Sequence, residues 1–414
     1  MATPLLRITY KHAVIFACFL VLYEFLTYIA NDMIMPAMIS VVDEFHAPAT
    51  AIASSLTAYI LGGASLQLLL GPLSDRYGRR PIMLAGALLF FVFTVALAFT
   101  HSMKWFLIGR FFEGMGLCFI SVVGYAVLQE MFDEMDAIRL IAVMASVAIL
   151  APLVGPLAGA LFMQVCNWRG IFIFIGVFAL VALWGLWSFM PESVGAKKRD
   201  GTYIQITPFT CSVIMKNYSQ LLCNLPVLFG GIAYGLLAIP CVAWIALAPK
   251  MLIQDAHYSL IDYGLWQLPV FGAFIIGNIT LSRLSRYCTT HSMINIGAGV
   301  VLAGLLMMVL LPLFFGLGVI SLIPGLMVYS AGYSVAATPM NRWILFATDV
   351  GKGTISGFLC VLSMLLQALG IEIINEFYVK NQPIVFGAYC AGLGLAYIVF
   401  LWLARLYMPK SIVD

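Results

Sequence analysis

Charge is the scarcest property of this 414-residue sequence, because only 9% of its residues are Asp, Glu, Lys or Arg while 63% are apolar. A water-soluble domain usually carries charge on about a quarter of its residues. A chain with so few charges cannot cover a globule with solvated side chains, but it can be stable where lipid is the solvent for most of its surface. The composition therefore argues against a soluble protein and indicates an integral membrane protein.

The sequence also lacks the patterns of several chemical sites. Its nine cysteines form no CxxC pair and no metal-ligand spacing, so we interpret them as small buried apolar residues and expect no metal site. The basic residues are scattered among loops and the net charge is only +3, so we expect no nucleic-acid partner. We find no nucleotide-binding loop and no nucleophile with a nearby base, and we therefore expect neither enzymatic activity nor a cofactor.

Apolar runs long enough to cross a bilayer, which takes roughly 20 residues per helix, are what the sequence has in abundance. Runs of this length fit poorly with a β-barrel of short alternating strands. We predict an all-α integral membrane protein with twelve transmembrane helices in two pseudo-symmetric six-helix bundles. The predicted spans cover residues 13–38, 51–71, 81–100, 104–128, 138–163, 168–190, 223–249, 261–282, 293–314, 318–344, 354–378 and 384–408.

The longest polar stretch separates the sixth span from the seventh. It divides the chain into an N-terminal six-helix bundle at 1–190, a cytoplasmic linker at 191–222 and a C-terminal six-helix bundle at 223–414. The halves show a faint repeat, since a glycine followed by a basic cluster occurs at the end of span 2 and again at the end of span 8. Repeated halves are typical of secondary transporters.

The distribution of basic residues predicts the orientation of the helices, because cytoplasmic loops of membrane proteins carry an excess of Lys and Arg. With the N-terminus inside, 16 of the 21 basic residues fall on the inner side and Arg110 lies within a span. The four on the outer side are Lys104, Arg169, Lys250 and Lys380. Both termini are therefore predicted to be cytoplasmic, which requires an even number of spans.

The loop after span 2 carries the clearest motif, Gly71-Pro-Leu-Ser-Asp75-Arg76-Tyr-Gly78-Arg79-Arg80. It is similar to the signature loop of the major facilitator superfamily, G-x-L-x-D-R-x-G-R-R. The resemblance implies a conformational latch at the cytoplasmic face, formed by Gly71, Asp75, Arg76, Gly78, Arg79 and Arg80. From the residues themselves, we expect Gly71 to let two helices approach closely and the arginines to bridge carboxylates on neighbouring helices. The alternative is that these arginines only set the topology.

Span 5 contains a second motif, Ala151-Pro152-Leu-Val-Gly155-Pro156-Leu-Ala-Gly159. It resembles the antiporter motif of the same superfamily, and this resemblance implies export rather than uptake. Gly155 and Gly159 form a small-residue face suited to tight helix packing. Pro152 and Pro156 remove backbone donors and are expected to bend the span.

Longer matches point to one group within the superfamily. They include Leu22-Tyr23-Glu24-Phe25 and Asn31-Asp32 in span 1, Arg110-Phe-Phe-Glu113-Gly114 and Gly124-Tyr125-Ala126 in span 4, and Gln267-Leu-Pro269-Val-Phe271-Gly272 in span 8. These segments resemble the MdfA-type multidrug/proton antiporters. The resemblance implies proton-coupled efflux of small lipophilic drugs, cationic and neutral, by alternating access in a bacterial inner membrane. Chloramphenicol-like and quaternary ammonium-like compounds are the substrates it suggests, and we expect a monomer in the lipid bilayer.

Charged side chains inside spans are the main functional candidates, because each costs at least about 2.5 kcal/mol at the bilayer centre. Glu24 and Asp32 are eight residues apart, so a helix places them about 80° and about 12 Å apart, at two depths along one cavity. Asp32 and Arg110 reach a similar depth, and we expect them to pair. The predicted proton-coupling residues are therefore Glu24, Asp32 and Arg110.

The resemblance implies that Glu24 and Asp32 are the carboxylates for proton and substrate. An apolar surrounding favours the protonated form of a carboxylic acid, which can lose its proton when a cation or water arrives. We interpret Asp32 as the proton switch and Glu24 as the contact for cationic drugs. The alternatives are a static buried salt bridge for Asp32 and Arg110, and a water pocket without function for Glu24.

Two further acidic residues leave more than one interpretation open. Glu113 stands where the superfamily pattern R-x-x-Q-G has Gln, so it can pair with Arg110 along the helix or add proton capacity. Glu372 lies near the outer end of span 11, where it can be a polar helix end or have a functional role. The sequence does not decide between these alternatives.

An apolar and aromatic cavity is expected to receive the substrate, since a large adaptable pocket would explain broad specificity. The predicted substrate-binding residues are Glu24, Tyr28, Asn31, Asp32, Tyr125, Trp244, Gln267, Pro269 and Phe271. Tyr23 is a further aromatic candidate. A second transporter function stays open, which is proton-coupled export of a single native metabolite or siderophore.

Overall fold

The fold is that of a computed structural model, which describes residue 5 and residues 8–197, 211–316, 318–348, 350–378 and 382–408. Lys380, predicted on the outer side, lies outside the described residues. Residues 198–210 of the predicted linker lie outside them as well. Of the predicted linker, only residues 191–197 and 211–222 are therefore described.

Twelve helices within the described residues are long and apolar enough to cross a membrane, which confirms the predicted number. In chain order, α1 to α12 are Tyr10–Glu44, Ala51–Tyr77, Arg79–Leu97, Met103–Met131, Arg139–Phe162, Trp168–Phe189, Leu225–Asp255, Leu260–Leu284, Thr290–Phe315, Val319–Leu345, Lys352–Phe377 and Pro383–Tyr407. A shorter helix at Cys211–Cys223 precedes α7. The predicted span 13–38 ends six residues before α1 does, because the chain continues past Pro36 into a further helical segment at Met38–Glu44.

Side-chain caps fix several helix starts. The side chains of Asn167 and Asn224 accept hydrogen bonds from backbone N–H groups in the first turns of α6 and α7. At α8, Ser259 and Asp262 form a reciprocal capping box. These contacts satisfy donors that a helix start leaves without an intrahelical partner.

Several of these helices contain local changes of winding. A 3₁₀ turn at Met35–Ala37 interrupts α1, where Pro36 supplies no backbone N–H. A π-helical turn occupies Ile120–Gly124 in α4, and α7 ends in a π-helical turn at Pro249–Asp255. The extra residue in a π-helical turn rotates the side chains that follow it, and such turns are frequent at functional sites. The turn in α4 comes directly before Tyr125.

The buried apolar side chains form two clusters. The first runs from Ala13 to Met190 along α1 to α6. The second runs from Leu221 to Met408 and also includes three residues of α2, which are Ala53, Leu56 and Ile60. This arrangement fits two six-helix bundles with α2 packed across their boundary. The boundaries 1–190, 191–222 and 223–414 stay a prediction.

Large apolar side chains cover much of the outer surface. Phe99, Trp184, Leu395 and Trp402 are each at least 60% exposed. A surface of this kind is unfavourable in water and fits the acyl chains of a bilayer, which are as apolar as leucine. The molecule is therefore a multi-pass membrane protein.

The two bundles contact each other through α5 with α8 and through α2 with α11. A Cβ atom on Gly264 of α8 would come within 2.7 Å of the Cα of Leu157 in α5, so these helices touch through their backbones. At the predicted outer end, Ser54 of α2 donates to Glu372 of α11 at 3.3 Å. Asn375 of α11 donates to the Thr50 carbonyl at 2.9 Å. Glu372 therefore joins the two halves rather than only ending a helix.

Candidate functional site

Glu24 lies in the middle of α1 and is only 1% exposed. The hydroxyl of Tyr125 donates to its Oε1 at 2.8 Å, and in the described part of the chain its Oε2 has no hydrogen-bond partner. The described side chains also provide no Lys, Arg or His within ion-pair distance of Glu24. A buried carboxylate with one neutral donor and no described counter-ion has an uncompensated charge, which a proton or a cation can neutralise.

Asp32 lies two turns further along α1 and is 4% exposed. Its Oδ1 accepts a hydrogen bond from the side-chain amide of Asn31 at 3.2 Å. The predicted Asp32–Arg110 ion pair is wrong, since no ion pair joins these two side chains among the described residues. The physical reason is that Arg110 has another counter-ion and that the amide of Asn31 occupies the space between them.

Arg110 is fully buried in α4 and is paired with Glu113 on its own helix. Its Nη1 lies 2.5 Å from Oε2 of Glu113, so the interpretation that the two pair along the helix is confirmed. Its Nη2 donates to Oδ1 of Asn31 at 2.7 Å. The guanidinium also lies 4.4 Å from the ring centre of Tyr59, where the face of the ring attracts a cation.

Glu113 is as fully buried as its partner. Thr94 of α3 donates to Oε1 of Glu113 at 2.9 Å, while Oε2 contacts Arg110. Both carboxylate oxygens are therefore satisfied. This pair has the features that a charge needs inside an apolar core, namely a counter-ion and additional hydrogen bonds.

Gly155 and Gly159 of α5 pack against α1 at the level of Asp32. A Cβ atom on Gly155 would come within 2.7 Å of the Asp32 Cβ, and one on Gly159 within 2.0 Å of the Met33 carbonyl oxygen. The predicted tight packing is confirmed, and it brings the antiporter motif against the predicted proton switch. The helix is continuous through Pro152 and Pro156, and the predicted bend stays a prediction.

The remaining predicted substrate residues belong to both bundles. Tyr28 of α1 is half-buried and lies within electrostatic reach of Glu24 and Asp32. In the second bundle, the indole nitrogen of Trp244 donates to Oε1 of Gln267 at 2.8 Å, and both side chains are buried.

Asp32 also lies near groups of the second bundle, Cys241 of α7 and Tyr263 of α8. It therefore lies at the boundary between the bundles. On α8, Phe271 is buried and Pro269 is partly exposed. Their substrate contacts stay a prediction.

Tyr23 packs against α3 and α4 within the first bundle. Its hydroxyl donates to the Gly116 carbonyl at 3.3 Å, and its ring packs edge-on against Phe90 with 5.6 Å between ring centres. The interpretation of Tyr23 as a substrate contact stays a prediction. On a helix, it points about 100° away from its neighbour Glu24, and this rotation turns it toward α3 and α4.

The predicted latch residues form a polar network at the other end of the first bundle. Arg79 lies 2.6 Å from Asp75 and 2.8 Å from Glu130 of α4, so it bridges carboxylates as expected. Glu192, after α6, accepts from the backbone N–H groups of Arg79 and Arg80 at 2.9 Å and 3.1 Å. These contacts connect α2, α3, α4 and the end of α6. The role of the network as a latch stays a prediction.

Other residues of this loop differ in what they do. Gly78 has φ +102°, a backbone conformation that favours glycine between α2 and α3.

The expected close approach at Gly71 is wrong, because a Cβ atom there would meet only Val122 at an ordinary 3.7 Å. The close approach lies about two and a half turns away on the same helix, where a Cβ on Gly62 would be 1.9 Å from the Phe111 carbonyl oxygen. Arg76 is exposed and its guanidinium lies 5.2 Å from the ring centre of Tyr77.

Sequence reasoning missed several partners of these charges. Thr94 and Tyr59 complete the surroundings of Glu113 and Arg110, while Glu130 and Glu192 complete those of the loop arginines. The sequence offered a reason to look for the two glutamates, since a basic cluster at a helix boundary needs nearby carboxylates. The sequence offered no indication of the contacts of Thr94 and Tyr59, because one threonine or tyrosine within an apolar span does not reveal which neighbour it will face.

Comparisons with known proteins agree with this arrangement. A profile of the Major Facilitator Superfamily matches residues 20–371. The multidrug transporter MdfA of Yersinia pestis is 39% identical over 402 residues, which cover 97% of this chain and 96% of that protein. The Escherichia coli MdfA is 38% identical over 394 residues, covering 95% and 93%.

A solved structure of the xylose transporter XylE of E. coli has a similar fold. It is in a partially occluded inward open conformation and superimposes with a TM-score of 0.72 at 15% identity. The match covers 95% of this chain and 97% of the other. At this identity, the similarity concerns the arrangement of the helices alone.

Proposed function

Because this chain belongs to the major facilitator superfamily, and within it to the group of the MdfA multidrug transporters, we propose that it is a proton-coupled multidrug efflux antiporter. Its substrates are lipophilic cationic and neutral compounds of the quaternary ammonium and chloramphenicol kinds, exported by alternating access. It lies in a bacterial inner membrane as a monomer with both termini in the cytoplasm. It uses protons as the coupling ion, requires no cofactor and does not convert its substrates chemically.

The presence of two buried carboxylates without a cation partner on one helix is the observation that supports this proposal most. Glu24 has only the Tyr125 hydroxyl, and Asp32 has only the Asn31 amide, as partners among the described residues. An ionised carboxylate in an apolar environment is costly unless it takes up a proton or meets a positive charge. Both groups are therefore suited to bind either a proton or a cationic substrate.

Exchange follows from competition between these two occupants. A cationic drug that reaches Glu24 replaces the proton as the neutralising charge, and the proton leaves on the side from which the drug came. A neutral drug makes no such ionic contact, so its export depends on the proton held at Asp32. Gly155 of α5 packs tightly against Asp32. A change in the protonation of Asp32 is therefore coupled to the position of α5, and α5 contacts α8 of the second bundle.

Drug resistance in a hypersensitive bacterium tests this proposal. We compare the wild type with Glu24→Gln and Asp32→Asn, using one quaternary ammonium compound and chloramphenicol. Glu24→Gln is expected to lose resistance mainly to the cation, while Asp32→Asn loses resistance to both compounds. Equal resistance of both variants and the wild type, at matched protein levels in the membrane, would remove the proposed exchange.

A further inference from the structure

The ion pair of Arg110 and Glu113 has no part in the exchange described above. Both side chains are fully buried, and the pair lies next to Asp32 through the amide of Asn31. A buried arginine is always charged, so its neighbours must balance that charge in every step of the cycle. Which carboxylate balances Arg110 therefore decides how freely Asp32 can exchange its proton.

We propose that Glu113 is the permanent counter-ion of Arg110 and holds the guanidinium on Asn31, so that Asp32 gains and loses its proton without balancing the arginine. Glu113 is then a positioning residue for proton exchange rather than a third proton carrier. This inference rests on the proposed proton-coupled function.

The geometry shows one continuous series of contacts across three helices. Thr94 of α3 donates to Oε1 of Glu113 at 2.9 Å, and Oε2 of Glu113 lies 2.5 Å from Nη1 of Arg110. Nη2 of Arg110 donates to Oδ1 of Asn31 at 2.7 Å, and Nδ2 of Asn31 donates to Asp32 at 3.2 Å. Because the amide of Asn31 has one acceptor and one donor end, it contacts both charges while keeping them apart.

Charge balance explains why the choice of counter-ion matters. With Glu113 ionised, Arg110 is neutralised, and the site is neutral when Asp32 carries its proton. Without the charge of Glu113, the site would be neutral only when Asp32 is ionised. Since an unbalanced charge is costly in an apolar core, removing Glu113 is expected to make Asp32 hold its proton less firmly.

The other titratable groups around the site do not change this balance. Tyr59 of α2, Tyr28 of α1, Cys241 of α7 and Tyr263 of α8 lie within electrostatic reach of Asp32. Phenols and thiols are uncharged at neutral pH. Glu24, the nearest other acid along α1, is separated from Asp32 by two turns of helix.

The pH dependence of proton release on drug addition tests the proposal in purified protein. We compare the wild type with Glu113→Gln, with Glu113→Asp as the charge-retaining variant and with Thr94→Val as a control that removes one neutral hydrogen bond. Tetraphenylphosphonium and chloramphenicol are the probes. Glu113→Gln is expected to move the pH midpoint of release toward acid by about one unit or more, while Glu113→Asp and Thr94→Val stay within a few tenths. An unchanged midpoint in Glu113→Gln overturns the proposal.

A thermal double-mutant cycle tests the same claim without transport. In Asp32→Asn, Glu113 is still the counter-ion of Arg110. In Glu113→Gln, Asp32 can become the counter-ion instead, so both single variants should fold. The double variant leaves Arg110 without a carboxylate, and its Tm is expected to fall by much more than the two single shifts together. Additive shifts, or a Glu113→Gln variant that does not fold, overturn the proposal. If the wild type releases no proton, the proposed function fails while this cycle still tests Glu113.

Discussion

Asn31 separates Arg110 from Asp32. Its amide oxygen accepts from Nη2 of Arg110 at 2.7 Å, and its amide nitrogen donates to Oδ1 of Asp32 at 3.2 Å. The charge that neutralises Arg110 comes from Glu113 instead, at 2.5 Å. The carboxyl of Asp32 is thus next to an amide and not to a cation, and this is the arrangement in which a proton can be exchanged.

Replacing Asn31 by Ala removes both hydrogen bonds at once. Leaving buried polar groups without partners costs about 1–3 kcal/mol, so the free energy of unfolding should fall by this order and drug efflux should fall at least tenfold. Thermal unfolding in detergent and efflux from cells measure the two effects. Asn295→Ala is the matched control, because this amide also accepts from an arginine, Arg405 at 2.6 Å, at an exposed site. Similar losses in both variants would contradict the assigned role of Asn31.

Replacing Tyr125 by Phe removes only the hydroxyl that donates to Glu24 at 2.8 Å. Glu24 then loses its described hydrogen-bond partner, so its position for a cationic drug is less fixed. We expect export of a quaternary ammonium compound to fall about threefold to tenfold, which corresponds to the net value of one hydrogen bond. Export of chloramphenicol should change less. Tyr389→Phe, which removes a hydroxyl bonded to the Gly370 carbonyl, should leave the ratio of the two activities unchanged.

Replacing Gly159 by Ala places a methyl group within 2.0 Å of the Met33 carbonyl oxygen. Backbone atoms must move apart to accept it, and overpacking of this kind typically costs about 1–3 kcal/mol. We expect a lower Tm and loss of most transport. Gly272→Ala is the control, since a Cβ atom there meets nothing within 4 Å. Equal activity of the two variants would show that the contact between α5 and α1 is not needed for transport.

The contact of Ser54 with Glu372 predicts a cross-link that blocks the cycle. Their oxygen atoms lie 3.3 Å apart on different bundles, and alternating access requires the two outer ends to separate. Cysteines at these two positions, in a chain whose other cysteines are replaced, should be bridged by a short bifunctional methanethiosulfonate, and this cross-link should lower drug efflux at least tenfold. Reduction should restore efflux, and each variant with a single cysteine should lose no efflux when the reagent is added. Full efflux by the cross-linked pair would contradict an opening at this end.

The twelve spans could be predicted from the sequence because lipid imposes long apolar runs, and the positions of Glu24 and Asp32 could be predicted because charge inside such a run is rare. The packing of Gly155 and Gly159 followed from their four-residue spacing. The prediction that Arg110 pairs with Asp32 was wrong, since both Asp32 and Glu113 were within reach and only the packed helices show which carboxylate lies against the arginine. The close approach expected at Gly71 occurs at Gly62, because local sequence does not tell which glycine faces a neighbouring backbone.

Proton release from the purified protein on addition of a drug tests the central claim most directly. The wild type should release protons when tetraphenylphosphonium or chloramphenicol is added at neutral pH in weakly buffered detergent solution. Asp32→Asn should bind drug but release no protons with chloramphenicol and fewer protons than the wild type with tetraphenylphosphonium, while Glu24→Gln should still release protons with chloramphenicol. Release from Asp32→Asn equal to that of the wild type, with both drugs, would contradict the assignment of Asp32 as the proton site.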